Sequence, residues 1–138
     1  MLIALVTLKY LQVFKNIFIV QVIAFLAALS YSQQPGRGCS WRGLGPSLVL
    51  APTTLLHQWV AELHAWWPPL RVAVLHSSGT HSGSKLNLIR AINSCGGILV
   101  MSYQAVTTVI DSLNKFNWHY VILDEGINLL FSFGLILT

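Results

Sequence analysis

Charged residues are scarce in this chain. They make up 9% of its 138 residues, whereas about a quarter is typical of a globular protein, and only four residues are acidic. Apolar residues make up 54%. This composition excludes a disordered chain and a coiled coil, which are rich in charged residues, and a collagen, which has glycine at every third position. A chain of this length can form one domain with a buried core of moderate depth.

Cysteine is scarce as well. Cys39 and Cys95 are too few for a disulfide-stapled domain, and they lack the C-x-x-C spacing of many metal and redox sites. We expect both to be free thiols in a reducing compartment.

Basic residues are not clustered. The formal net charge is +4, and residues 1–61 hold all of it because they contain two lysines, two arginines and no acid. The four basic and four acidic residues that follow cancel each other. Scattered single charges are only weak support for a nucleic-acid surface.

The first 31 residues are apolar, yet they lack an uncharged run of membrane-spanning length. The longest such stretch covers residues 17–29, which is thirteen residues where a span needs about 20. A signal peptide would carry positive charge before its apolar run, and residues 1–8 have none. We therefore favour a buried helix over residues 17–30. A small membrane-anchored protein that uses residues 1–29 is the alternative.

From residue 47 onward, short apolar runs alternate with segments of helical spacing. Strands are predicted at 48–51, 71–76, 97–101 and 120–123, and helices at 55–66, 84–92 and 104–113. Thr54 is predicted to cap the first of these helices. Strands that alternate with helices of this length indicate βαβ units. The predicted fold class is therefore α/β, with a parallel sheet flanked by helices.

Two acidic residues stand side by side at the end of the last predicted strand. Open α/β sheets bind their ligands at the carboxyl ends of their strands, which is where Asp124 and Glu125 lie. There one carboxylate can hold Mg²⁺ through water while its neighbour orients or activates an attacking water. An acidic pair can also be a solvated turn that leaves a sheet, and spacing alone favours that second interpretation.

No phosphate-binding loop accompanies these carboxylates in the sequence. The pattern G-x-x-x-x-G-K-[ST] does not occur, and the nearest segment, residues 79–85, has one residue too many before its lysine. We interpret that segment as a plain Ser/Gly loop.

Histidines and tryptophans lie in and just after the predicted helix 55–66. His57 and His64 are seven residues apart, whereas zinc ligands on one helix usually lie at positions i and i+4. Their spacing therefore gives little support for a zinc site. Trp59, Trp66 and Trp67 are able to stack on bases, but their helical spacing favours packing in the core.

Four sequence blocks carry a resemblance to a known family. They are QVIAFLA at 21–27, PTTLLHQW at 52–59, ILVMSY at 98–103 and YVILDEG at 120–126. In this order they resemble the helix after the Walker A loop, motif Ia, motif Ib and motif II (the Walker B box) of the Swi/Snf-type DNA-translocating ATPases. The resemblance covers about residues 20–126. Residues 1–19 and 127–138 are then apolar segments outside the family pattern.

The resemblance implies most of one RecA-like (P-loop NTPase) lobe, the first of the two lobes between which the family binds ATP. It implies an ATP-driven DNA translocase in chromatin remodelling and transcription-coupled DNA repair. The cofactors would be ATP and Mg²⁺, and the partner would be DNA, gripped by its backbone without sequence preference. The location would be the nucleus, although no targeting signal is visible in the sequence.

The resemblance also assigns roles to individual residues. Those that would contact DNA are Thr53, Thr54, Ser102 and Tyr103. Asp124 would hold Mg²⁺ through water, and Glu125 would act with it on the attacking water. Both acids would therefore be catalytic.

The chain departs from the family pattern on both sides of the match. The residues before Val20 are Lys-Asn-Ile-Phe-Ile, where the family has its Walker A strand and Gly-Lys-Thr loop, and Ile127 stands where motif II continues with His. The second lobe, with its arginine fingers, has no counterpart. We expect a truncated fragment that does not hydrolyse ATP by itself. A non-enzymatic fragment that binds DNA or a partner is the alternative.

Overall fold

The computed structural model describes residues 2–6, 12–32, 43–76 and 84–124. Strands and helices alternate along these segments. In chain order they are β1 (Leu2–Val6), α1 (Gln12–Tyr31), β2 (Ser47–Ala51), α2 (Leu56–Trp66), β3 (Val72–Leu75), α3 (Lys85–Cys95), β4 (Ile98–Ser102), α4 (Tyr103–Leu113) and β5 (Tyr120–Asp124). One 3₁₀ turn, Thr53–Leu55, precedes α2.

The five described strands form one sheet in the order β1-β5-β2-β4-β3, and every neighbouring pair is parallel. β2 and β5 pair directly, with Leu48 opposite Val121 and Leu50 opposite Leu123. The predicted α/β fold with a parallel sheet is therefore confirmed. Because the strands are parallel, all of their carboxyl ends meet at one edge of the sheet, which we call the carboxyl edge. We call the opposite edge the amino edge.

β1 comes from the segment that we expect to lie outside the family pattern. It runs beside β5, with Leu2 opposite Tyr120 and Val6 opposite Asp124. Without β1, β5 would be the outermost strand of the sheet, and its backbone groups on that side would be unpaired. The apolar residues 2–6 thus extend the sheet beyond the strand that carries Asp124.

Helices cover both faces of the sheet, and this explains why the inner strands are continuously apolar. Along β2, Val49 and Ala51 lie in the cluster formed with α1 and α2. Leu48 and Leu50 lie in the cluster formed with α3 and α4. All five residues of β2 are buried. Side chains therefore alternate between two hydrophobic cores, one on each face of the sheet.

Helix α1 is longer than the predicted helix over 17–30. Its buried residues follow helical spacing: Phe18, Ile19, Val22, Ile23 and Leu26. Ile17 and Phe25 are 52% and 46% exposed, and the ring of Phe25 packs edge-on against Tyr120 of β5, with 5.6 Å between the ring centroids. No helix among the described residues combines the length and the apolar character that a membrane span requires.

The predicted cap of α2 is wrong. Thr54 lies inside the 3₁₀ turn, and Leu55 takes the position before α2 without any side-chain cap. The turn is closed by the backbone N–H of Leu55, which donates to the carbonyl oxygen of Pro52 at 2.9 Å. Leu55 is buried in the core, so packing, not capping, sets where this helix begins.

Most element boundaries agree with the sequence-based prediction to within about two residues, as expected for frayed ends. Helix α3 extends three residues further than predicted and ends at Cys95, which is a free, exposed thiol. Cys39 lies outside the described residues.

Candidate functional site

Asp124 is the last residue of β5 and lies at the carboxyl edge of the sheet. Its side chain is 6% exposed, and it is the one buried charged side chain in the described part of the chain. Burying a carboxylate is costly unless hydrogen bonds compensate for the lost water. The partners of Asp124 therefore decide how it is held.

The side chain of Asp124 is held by Trp59. The indole Nε1–H of Trp59 donates to Oδ2 of Asp124 at 2.8 Å. Trp59 lies on the inner face of α2 and is fully buried. It is therefore a core residue, as its spacing predicts, and it is not available to stack on bases.

The backbone of Asp124 is held by Tyr103. The hydroxyl of Tyr103 donates to the carbonyl oxygen of Asp124 at 2.6 Å. Tyr103 is the first residue of α4 and follows β4 directly. Two helices that begin at two different strand ends thus each supply a hydrogen bond to the same aspartate.

The other predicted site residues lie at the same edge of the sheet. Thr53 and Thr54 follow β2 and are exposed. Ser102 ends β4 and is buried, and its hydroxyl accepts a hydrogen bond from the backbone N–H of Ala105 at 3.2 Å. Ser102 is therefore the N-cap of α4.

The sheet order explains why these residues come together. β5, β2 and β4 are consecutive in the sheet, and Ala51 at the end of β2 lies opposite Ser102 at the end of β4. The segment that resembles motif Ia therefore begins beside the places where the strands of the motif Ib and motif II segments end. Glu125 lies outside the described residues.

Part of this edge fits a magnesium–nucleotide complex. Mg²⁺ is usually bound by one or two carboxylates together with waters and substrate phosphates, not by an all-protein cage. The carboxylate of Asp124 is a ligand of this type, and no group of three or more potential metal ligands occurs among the described residues. The sequence lacks the glycine-lysine loop that would hold the triphosphate. The described residues thus include a ligand of the kind that Mg²⁺ uses, without that phosphate loop.

The histidines and the other two tryptophans in and just after α2 do not take part in the hydrogen bonds to Asp124 described above. His57 and His64 are both exposed on α2. Trp67 is buried in the core formed with α1 and α2, in agreement with the prediction. Trp66 is instead 62% exposed, and its Nε1–H donates to Oε2 of Glu62 at 2.8 Å.

The amino edge of the sheet holds a different set of groups. The backbone N–H of Gly45 donates to Nδ1 of His119 at 2.9 Å, and the N–H of His119 donates to the carbonyl oxygen of Pro46 at 2.7 Å. Burial lowers the pKa of His119 from its ordinary value of 6.5. This histidine, just before β5, fastens the segment that leads into β2.

A groove of about 470 Å³ also lies at the amino edge. Its walls include Tyr31, Trp67 and Arg71, and the rings of Tyr31 and Trp67 are 6.4 Å apart. Gly97 lines it too, with a φ of 123° that side chains rarely adopt. Sequence patterns gave no sign of this groove.

The hydrogen bonds of Asp124 are the part of the site that sequence reasoning missed. One signal for them existed, since a buried tryptophan usually needs an acceptor for its N–H. Motif II supplies an acid at the end of a buried strand. What the sequence does not give is that the indole of Trp59 reaches the side chain of Asp124, 65 positions further along the chain.

Comparison with known proteins places these features in context. The sequence profile of the SNF2-related domain matches residues 19–130. The chain is 51% identical over 109 residues to the DNA excision repair protein ERCC-6 of Homo sapiens, covering 78% of this chain and 7% of that protein. It is 33% identical over 152 residues to the DNA repair and recombination protein RAD26 of Saccharomyces cerevisiae, covering 78% and 13%. The chain therefore spans only a small part of these relatives.

The resemblance extends to short blocks outside the general motifs. AWWPP at 65–69 and WHY at 118–120 resemble the Cockayne syndrome group B repair protein, which is ERCC-6. A further relative is the ISWI chromatin-remodeling complex ATPase ISW1 of Saccharomyces cerevisiae, 27% identical over 107 residues that cover 77% of this chain and 9% of that protein. With a profile match over most of its length and a RecA-like parallel sheet, this chain belongs to the family of SNF2-related domains.

Proposed function

We propose that this chain is a fragment of the first ATPase lobe of an ATP-dependent DNA translocase that acts in chromatin remodelling and transcription-coupled DNA repair, and that it does not hydrolyse ATP by itself. The observation that carries the proposal is the carboxyl edge, where the ends of β5, β2 and β4 bring Asp124 beside the segments that resemble motifs Ia and Ib. Relatives named for DNA repair and for chromatin remodelling support the same setting and a nuclear location.

The DNA side of the proposal rests on Thr53, Thr54 and Tyr103, and on Ser102 through its backbone only, because its hydroxyl is buried and caps α4. The exposed hydroxyls of Thr53 and Thr54 are suited to phosphate oxygens. Such contacts fix the position of a protein on a duplex but carry no base information. Hydroxyls and backbone amides displace few counterions, so binding should be weak, insensitive to sequence and only mildly dependent on salt.

The nucleotide side rests on Asp124 and Glu125. Mg²⁺, when bound, neutralises charge on the phosphates of ATP and helps to orient them. Asp124 would hold the metal through water, and its fixed, buried carboxylate would act in a medium where electrostatic interactions are stronger than in water. Glu125 would orient the attacking water.

The missing phosphate loop is the reason to expect no hydrolysis. In related enzymes, backbone N–H groups, a lysine and a helix N-terminus all act on the same phosphates. Without that loop, none of these groups stabilises the transition state, so phosphate release should remain at background.

Phosphate release, measured with and without duplex DNA, tests this proposal. The matched control is the double variant Asp124→Ala, Glu125→Ala, and we expect it to release no less phosphate than the natural chain. DNA-stimulated release that the double variant abolishes would show that the chain is a working ATPase.

The missing loop also favours a second candidate function, a non-enzymatic fragment that binds DNA or a partner protein. DNA binding without hydrolysis would be common to both. They differ in their response to Mg²⁺, because a purely DNA-binding fragment has no use for Asp124. Equal DNA affinity with and without Mg²⁺, unchanged in Asp124→Asn, would favour the second function.

A further inference from the structure

Two hydrogen bonds connect the segments proposed to contact DNA with the carboxylate proposed to hold the metal. Trp59 ends the block that resembles motif Ia, and its indole donates to the side chain of Asp124. Tyr103 ends the block that resembles motif Ib, and its hydroxyl donates to the backbone of Asp124. We propose that Trp59 and Tyr103 are positioning residues that couple the DNA-contact segments to the metal-binding carboxylate. This inference rests on the function proposed above.

The bond from Trp59 sets the orientation of the carboxylate. A hydrogen bond to an ionised acceptor is shorter and stronger than one between neutral groups. Here the donor and acceptor atoms are 2.8 Å apart, and both side chains are buried. The indole is rigid and is enclosed by the core under α2, so Asp124 Oδ2 cannot keep this bond in a different orientation unless α2 moves with it.

The path from Thr53 and Thr54 to Trp59 is short and stiff. The two threonines form the 3₁₀ turn that runs directly into α2, and Trp59 lies on the second turn of continuous helical structure. If contact with a DNA phosphate shifts this turn, the indole of Trp59 therefore shifts with it. The helix acts as a single body because Leu56, Trp59 and Leu63 are all packed in one core.

Tyr103 provides the second path. Its hydroxyl oxygen lies 2.6 Å from the carbonyl oxygen of Asp124, at the point where the chain continues to Glu125. Ser102, the residue before it, is fixed because its hydroxyl caps α4. Contact of DNA with this segment would thus alter how the backbone of Asp124 is held, independently of Trp59.

Coupling of this kind is reciprocal. If DNA changes the affinity of Asp124 for a metal ion by some factor, the metal must change the affinity for DNA by the same factor. The two positioning residues should therefore govern metal affinity and its response to DNA, and both quantities can be measured without ATP hydrolysis.

The chain supplies a matched control for Trp59. Trp66 lies on the same helix, and its indole also donates to a carboxylate, Oε2 of Glu62, at 2.8 Å. That pair is exposed and is separate from the carboxyl edge. Trp66→Phe therefore removes the same kind of hydrogen bond from the same helix without affecting Asp124.

The experiment uses the whole chain, labelled with ¹⁵N, and Mn²⁺ alone as the probe. Bound Mn²⁺ broadens the resonances of nearby protons, so the Trp59 indole resonance should disappear at a lower Mn²⁺ concentration than that of Trp66. Loss of a residue that orients a metal ligand typically costs about 10–100-fold in metal affinity, and we expect a loss at the lower end of this range for Trp59→Phe. Trp66→Phe should bind Mn²⁺ like the natural chain.

Duplex DNA is then added to measure the coupling itself. DNA should change the Mn²⁺ affinity of the natural chain and of Trp66→Phe by the same factor. In Tyr103→Phe, which removes one hydroxyl from a half-buried ring, this factor should move towards one. Because Tyr103→Phe and the indole broadening of the natural chain need no change in the core, the inference stays testable if Trp59→Phe does not fold.

Two results would overturn the inference, and they differ in meaning. If Asp124→Asn abolishes Mn²⁺ binding while the Tyr103 and Trp59 variants keep natural affinity and natural coupling, the positioning roles are wrong and the metal site stands. If Asp124→Asn binds Mn²⁺ as the natural chain does, the metal role of Asp124 is wrong as well, and the function proposed above loses its nucleotide side.

Discussion

The two edges of the sheet are made by the same parallel strands, yet they hold different chemistry. At the carboxyl edge, a buried carboxylate accepts hydrogen bonds from a tryptophan and a tyrosine, beside the exposed Thr53 and Thr54. At the amino edge, His119 accepts the N–H of Gly45, and Gly97 lies close against the backbone of Arg71. The carboxyl edge thus concentrates the groups that we propose bind ligands, whereas the amino edge concentrates groups that keep the chain in place.

This difference follows from the topology of a parallel sheet. Loops at the carboxyl ends of the strands lead into helix N-termini, where ligands of open α/β sheets bind. Loops at the amino ends only return the chain from a helix to the next strand. Substitutions at the amino edge should therefore mainly lower the free energy of unfolding. Substitutions at the carboxyl edge should mainly weaken ligand binding.

The largest expected effect on stability is at Gly97. A Cβ atom at this position would lie 2.6 Å from the carbonyl oxygen of Arg71, which also accepts the N–H of Ile98 at 2.9 Å. Gly97→Ala should lower the free energy of unfolding by about 3 kcal/mol, since steric overlap adds to an unfavourable φ. Urea denaturation measures this. Gly96→Ala is the control, because its Cβ would meet open space and only its φ of 77° is unfavourable. Equal losses in the two variants would contradict this explanation.

The next effect concerns the stability of the carboxyl edge. Trp59→Phe removes one donor from the buried carboxylate of Asp124 and should lower the free energy of unfolding by about 2 kcal/mol. Trp66→Phe removes an exposed hydrogen bond and should change stability by no more than about 0.5 kcal/mol. Thermal and urea unfolding of both variants checks this difference. A similar loss in both variants would mean that the buried bond to Asp124 stabilises the fold no more than the exposed bond to Glu62.

A smaller effect should appear as the pH falls. Nδ1 of His119 accepts the N–H of Gly45, so this bond requires the neutral ring. Because burial lowers the pKa of His119 below 6.5, the unfolded chain binds a proton more readily than the folded chain. The neutral ring of His119 therefore contributes fully to the free energy of unfolding above pH 6.5. This contribution declines as the pH falls towards the lowered pKa. Unfolding measured from pH 7.5 to 5 should show this loss.

The control for the pH effect is His119→Asn, in which an amide oxygen can accept the same N–H but does not titrate. The loss of stability below pH 6.5 should be smaller in His119→Asn than in the natural chain. The same pH slope in both proteins would show that other groups cause the effect.

The smallest effect should be at the exposed threonines. Thr53→Val and Thr54→Val keep the side-chain shape and remove a hydroxyl that we propose contacts DNA phosphates. Each should weaken binding to duplex DNA by a few-fold, with the same factor for unrelated sequences and little change in stability. Fluorescence anisotropy measures the affinity, and Thr107→Val, an exposed position within α4, is the control. An equal loss in Thr107→Val would contradict the assignment.

The sequence predicted the layers of the fold better than its connections. Alternating apolar runs and helical spacing were sufficient for the strands and helices, because both faces of the inner strands are buried. The predicted cap of α2 was wrong because the burial of Leu55, a tertiary effect, overrode the local capping preference of Thr54. The 3₁₀ turn that replaced the cap has no signal in the hydrophobic pattern.

The positions of the candidate residues at strand ends were predictable, but their hydrogen bonds were not. Sequence blocks placed Asp124, Thr53, Thr54, Ser102 and Tyr103 at strand ends, and parallel strands bring such ends to one edge. Which of them are neighbours depends on the order of strands in the sheet, which periodicity does not contain. The bonds from Trp59 and Tyr103 to Asp124 therefore needed the structure.

The division between the two edges can be tested most directly by mapping where DNA binds. Amide resonances of the ¹⁵N-labelled chain would be followed while a short duplex is added. Our account predicts the largest shifts at Thr53, Thr54 and Tyr103, with little change at Gly97 and His119. Shifts concentrated at the amino edge, around the groove that includes Tyr31 and Arg71, would show that DNA binds at the opposite edge of the sheet and would contradict the account.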